Sequence, residues 1–198
     1  MIRKLLILFT MLLLLAAPLF ADPVELTVQP SDSELTLGDP LSVDVNISGL
    51  GDGAAPSLST FDLVLQFDSL ILSFVDVDFG TELGWPFSLY STISTSEGYS
   101  FLEISFDDPF YLDLFQPGAF TLLTAHFSSI AIGTSPLTLD SVILGDSIAF
   151  PLDFTATNSS VNVTSSPSVA TPEPGTLILL VAAGMAIVMM SLGSRRLN

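Results

Sequence analysis

Hydrophobic residues along this chain follow two different rules. Two runs are continuous: 5–15, apolar except for Thr10, and 176–192, which holds no charged residue. Between them, apolar side chains recur at every second position in short stretches set apart by Gly, Pro, Asp and Ser. Period two marks half-buried strands, because successive side chains on an extended chain point to opposite faces. The clearest stretch is 41–47, where Leu41, Val43, Val45 and Ile47 alternate with Ser42, Asp44 and Asn46. The stretch 61–67 repeats the pattern, and further strands are expected over 24–28, 70–79, 99–106, 119–132, 137–144 and 148–154. Within 70–79, Leu72 and Phe74 are out of phase with Val75 and Val77, which predicts a bulge or a change of face. No helical periodicity is found between Asp22 and Thr171.

Many short strands at this spacing predict an all-β, jelly-roll-like sandwich of two sheets. The 15 Phe suit a core of that kind. Without its ends the chain keeps about 150 residues, enough for one domain with a real core. There is no Cys, so no disulfide holds it. The sandwich is expected over 22–154. Residues 155–171, more than half Ser or Thr and uncharged, read as a stalk. Val161 and Val163 are the one alternating pair there that suits a last strand.

The continuous runs read as addresses. Arg3 and Lys4, the apolar stretch and a small-residue close make 1–21 a signal peptide, with cleavage expected after Ala21. At the other end Pro172, Glu173 and Pro174 precede the run 176–192, and Arg195 and Arg196 follow it. Seventeen uncharged residues are at the lower edge of spanning length. They predict a transmembrane helix with its arginines on the cytoplasmic side. This arrangement, over 172–198, resembles the PEP-CTERM sorting signal of Gram-negative bacteria. The resemblance implies an exosortase-type transpeptidase as partner, Pro172-Glu173-Pro174 as its recognised motif and Arg195-Arg196 as a retention cluster. It implies a membrane anchor before processing and a place on the cell surface or in the extracellular matrix afterwards.

All four basic residues belong to these two ends, while all but Glu173 of the 21 acids lie between them. Such a field repels nucleic acid and anionic surfaces. The acids must be solvated, hydrogen-bonded or balanced by cations. Calcium prefers oxygen ligands, and weak sites fill at millimolar extracellular levels. Asp107, Asp108 and Asp113, in an expected loop, are the candidate ligands, with no other cofactor expected. His126, the single His, alternates with Ala125 and Phe127 and is expected on the solvent side of its strand. No Gly-x-Ser-x-Gly turn is present. Carboxylate pairs such as Asp76 with Asp78 are unavoidable in so acidic a chain, so no enzyme activity is expected. Trp85, Phe87, Tyr90, Tyr99, Phe110 and Tyr111 are either loop and core packing or an aromatic surface for sugars.

The runs Leu41-Ser-Val-Asp-Val-Asn-Ile47, Phe61-Asp-Leu-Val-Leu-Gln-Phe-Asp68, Leu72-Ser-Phe-Val-Asp-Val77 with Gly80, Phe120-Thr-Leu-Leu-Thr-Ala-His-Phe127 and Gly133-Thr-Ser-Pro-Leu-Thr-Leu139 together resemble a cohesin-like domain. The resemblance implies a nine-stranded jelly roll used for adhesion or scaffolding, and maps no ligand-contacting residue. The expected role is an exported, non-catalytic adhesion or scaffold module whose partner is an extracellular polysaccharide or a surface protein. The alternative is a carbohydrate-binding surface protein, with carbohydrate degradation less favoured.

Overall fold

A computed structural model describes residues 23–84, 86–166, 179 and 181–185. The expected signal peptide with Ala21, Trp85, the Pro172-Glu173-Pro174 motif, Arg195 and Arg196 lie outside the described residues. So does most of the expected span 176–192, although 179 and 181–185 are helical. Among the described residues no helix is long and apolar enough to cross a membrane. The chain divides into two units, Met1–Ser165 and Ser166–Asn198. The first carries the fold.

Its strands are β1 (Val24–Pro30), β2 (Glu34–Thr36), β3 (Pro40–Ser48), β4 (Leu58–Gln66), β5 (Leu72–Phe79), β6 (Ser88–Ser94), β7 (Gly98–Ser105), β8 (Phe120–Ser129), β9 (Gly133–Asp146), β10 (Phe154–Thr157) and β11 (Ser159–Thr164). A short helix, α1 (Pro109–Phe115), joins β7 to β8. One sheet runs β10-β1-β3-β8-β5 and the other β2-β11-β9-β4-β7-β6. The alternating residues deliver what their period requires. Leu41, Val43, Val45 and Ile47 are all buried, as are Phe61, Leu63 and Leu65 of the opposite sheet, and one core joins them to Phe101, Leu123 and Phe127. The phase change in β5 is a bulge, since its pairing to β8 shifts register between Phe74 and Asp76.

The ends of the sandwich close on each other. β1 pairs in parallel with β10, and β2 in parallel with β11, so the first and last segments each cross between sheets together. This corrects the stalk boundary. Residues 155–164 belong to the sandwich, with Val161 and Val163 fully buried. The Ser and Thr that suggested a stalk mark the solvent side and edges of these strands: Thr157 donates to Glu25, and the Thr164 hydroxyl to the Leu35 carbonyl.

Three other expectations change. The strand expected over 148–154 does not form, and only its last residue, Phe154, is extended, as the start of β10. Asp146 Oδ1 accepts from the Ile148 and Phe150 amides, which folds the chain into a tight turn with Ala149 at positive φ and leaves Ile148 and Phe150 exposed. The edge strands β2 and β6 had no alternation to announce them. The loop expected around Asp107 contains α1, opened by an N-cap aspartate, Asp108, and a proline at the first helical position.

Candidate functional site

The outer faces of the two sheets differ in chemistry. On the five-stranded sheet the outward positions of β3 and β8 beyond Pro40 are polar. Asp44 accepts from Thr124 at 2.6 Å, Asn46 accepts from Thr121 at 2.7 Å, and Ser42 meets His126 Nδ1 at 3.0 Å. These side chains satisfy one another across the strands.

The six-stranded sheet has a different outer surface. Register sets Leu89, Ile104 and Thr60 in one row, Ser91, Leu102, Asp62 and Ile143 in the next, and Ile93, Ser100, Val64 and Asp140 in a third. Leu89, Ile93 and Ile143 are 53%, 60% and 62% exposed. Asp62 accepts from Ser100 at 3.3 Å, and Asp140 from Gln66 at 3.2 Å. The result is a partly apolar sheet face with two carboxylates set into it, a composition that suits a protein partner. Beneath it, on the inner side of β7, lies Glu103, only 1% exposed. Neither carboxyl oxygen has a hydrogen-bond partner among the described residues. Burial pushes this carboxyl above the usual carboxylate range, and the nearby Ser88 hydroxyl, outside hydrogen-bond geometry, pulls it back only in part.

The three candidate calcium ligands do not converge. Asp108 caps α1 through the Phe110 amide, Asp113 accepts from the buried Ser57 hydroxyl at 2.6 Å, and Asp107 lies against Gly84. Among the described residues no group of three or more His, Cys, Asp or Glu side chains is placed to hold a metal. These aspartates organise a loop and a helix end.

His126 occupies the solvent side of β8, as its alternation requires. It stands between Ser42 and Asp78, its Nε2 lying 3.2 Å from an Asp78 oxygen. The order Ser-His-Asp matches a hydrolytic triad, but the setting does not. Acyl transfer needs free N–H donors beside the nucleophile. Here the Ser42 amide donates to Ser31 Oγ, and β3 is laddered on both sides.

The aromatic candidates separate. Tyr99 stacks on Phe74 at 4.0 Å as part of the packing, and Tyr90 leans on Phe79 at 5.1 Å. Phe87, Phe110 and Tyr111 are more than half exposed, joined by Phe106 and Phe115, which strand and helix periodicity did not single out.

No protein-family model and no curated protein matches the chain. Solved structures do match. The sixth cohesin of scaffoldin B from Acetivibrio cellulolyticus, solved with a Cel5 dockerin variant, superposes with a TM-score of 0.58 at 20% identity. The match covers 72% of this chain and 99% of that one. A non-cellulosomal cohesin from the archaeon Archaeoglobus fulgidus gives 0.55 at 17% identity, over 72% and 92% of the two chains. A cohesin module from a Clostridium perfringens family 33 glycoside hydrolase gives 0.59 at 10%, over 73% and 98%. The fold is the cohesin fold. At these identities the cohesin likeness speaks for the backbone and says nothing of individual binding residues.

Proposed function

We propose that this chain is an exported, non-catalytic adhesion or scaffold module that holds a protein partner on the outer face of its six-stranded sheet. The observation that carries the reading is the contrast between the two outer faces. One satisfies its own polar groups; the other leaves Leu89, Ile93 and Ile143 in water. Large exposed apolar side chains in one patch mark interaction surfaces. A cohesin of this fold solved with a dockerin bound supports a protein module as the partner class.

We further propose that residues 1–21 export the module and that Pro172-Glu173-Pro174, the apolar run and Arg195-Arg196 sort it through an exosortase-type enzyme. Before processing the C-terminal run anchors it in the inner membrane; afterwards it resides at the cell surface or in the matrix. The C-terminal peptide of mature molecules tests this, because recovery of intact Arg195-Arg196 tails in most of them rules processing out.

For the binding reading, the full chain is immobilised and used to capture material from the producer's extracellular fraction, with and without EDTA. A discrete protein retained by the native chain and lost by Ile143→Asp is the expected result. Retention of polysaccharide alone, or of the same protein by Ile143→Asp, overturns it.

A further inference from the structure

A concave site lies away from the sheet face, where the turn after β5 meets α1. Its cavity of about 430 Å³ is lined by Glu82, Gly84, Phe87, Asp107, Tyr111 and Phe115. That is within the range of about 300–1,000 Å³ in which small-molecule sites fall. A neighbouring hollow of about 510 Å³ shares Phe87 and Asp107 with it and adds Phe106 and Asp108.

The cleft is built by specific contacts. Gln116, at the end of α1, is 3% exposed, and its amide is fully engaged: it accepts from the Leu58 amide at 2.6 Å and donates to the carbonyls of Leu58 at 2.9 Å and Glu82 at 3.0 Å. This pins the wall holding Glu82 to β4. Gly84 has φ +91°, a conformation that favours glycine, and a Cβ there would push the Asp107 carboxylate aside. The Asp113–Ser57 hydrogen bond ties α1 to the start of the same strand.

Against these fixed parts stand bare rings. Phe87, Tyr111 and Phe115 are 66%, 53% and 63% exposed, and the Tyr111 and Phe115 rings lie 4.7 Å apart. Five bare rings within a short span of chain, counting Phe106 and Phe110, cost solvation unless something covers them. Glu82 and Asp107, when ionised, accept hydrogen bonds and donate none. A ligand for such a site has apolar C–H faces for the rings and several hydroxyl donors for the carboxylates. It carries no negative charge, because no Lys or Arg stands between Asp22 and Thr171 to receive one. A pyranose chain without acidic groups has all three properties.

We infer that this cleft binds an uncharged glycan, with ring stacking from Phe87, Tyr111 and Phe115 and hydroxyl recognition by Glu82 and Asp107. The module would then hold a protein on one sheet and a sugar polymer at one end, tying the two together in a matrix.

The test is affinity electrophoresis of the full chain through gels holding a soluble β-glucan, xylan, mannan or glycol chitin, with polygalacturonate and alginate as anionic controls and free oligolysine as a competing cation. Retardation by at least one of the uncharged polymers and by neither polyuronate is expected. Tyr111→Ala with Phe115→Ala should weaken it about tenfold. Asp107→Asn, nearly the same size and shape, should weaken it without altering the melting temperature, and serves if the double variant fails to fold. Ile143→Asp, on the sheet face, should leave it unchanged, which separates this site from the protein-binding one. No retardation by any uncharged polymer, equal retardation of the variants, preference for a polyuronate, or displacement by oligolysine alone each overturns the assignment.

Discussion

The outer faces of the two sheets have the same backbone and the same period-two pattern, yet they do opposite things. Across β3 and β8 of the five-stranded face the outward Ser, Thr, Asp, Asn and His side chains bond one another and reach on to Asp78 of β5, although Val75 at the β5 bulge is exposed. On the six-stranded face β7 inverts the usual order: Leu102 and Ile104 point out, and Glu103 points in. A hydroxyl or carboxylate facing water costs nothing, while an exposed leucine and a buried carboxyl both do. A protein of marginal stability that accepts an exposed Leu89 on β6 and a buried Glu103 on the neighbouring β7 is using this edge of the sheet for something other than stability.

The largest expected effect breaks this contrast directly. Leu89→Asp combined with Ile143→Asp should weaken partner capture about 30-fold or more, the loss of roughly 2 kcal/mol expected of hot-spot side chains. The melting temperature should barely move, since both residues face water. An equal loss from Thr124→Val would show that the polar face, and not the apolar one, is the contact.

Glu103→Gln sharpens the other half of the inversion. The carboxyl's folded pKa is raised above its ordinary value of 4.5 by burial. The native state therefore binds the proton more tightly than the unfolded chain does. Stability contributed by the protonated form is present below the ordinary value and is lost as pH rises through the raised one. The amide should raise the melting temperature by a few degrees at pH 7, and the gain should vanish below about pH 4. A gain independent of pH would mean that Glu103 is not titrating.

On the polar face, Thr124→Val removes the donor to Asp44 and should cost about 0.5 kcal/mol in denaturant unfolding with capture intact. The smallest effect is that of EDTA. With Asp107, Asp108 and Asp113 in three separate roles, the chelator should leave the melting temperature unchanged at low salt. A fall of several degrees would show that cations hold this loop together after all.

Much of this was legible in the chain. Strict alternation announced β3 and β4 because each buries one side only, and the out-of-phase valines announced the β5 bulge. Asp108-Pro109 carried the signal for α1, an N-cap followed by a helix-compatible proline, though seven residues are too few for periodicity to show. The edge strand β6 could not be read, because a strand paired on one side and exposed on the other needs no alternation. β11 was half visible: Val161 and Val163 alternate, but the surrounding Ser and Thr imitate a stalk.

By itself the sequence determined that this is an acidic two-sheet domain with no disulfide and no internal Lys or Arg, set between two continuous apolar runs. Those features are local or compositional, and period two and net charge need no partner to be read. Only the tertiary structure decided which outward faces are polar or apolar, which acids stand together and which rings stay bare. Each of these depends on register between strands far apart in sequence: Ile143 meets Asp62, and Asp62 meets Leu102, through pairings that no local pattern encodes. Asp107, Asp108 and Asp113 are neighbours in the chain and still part company. Helix caps and turn contacts, made with Phe110, Ser57 and Gly84, took each of them in a different direction.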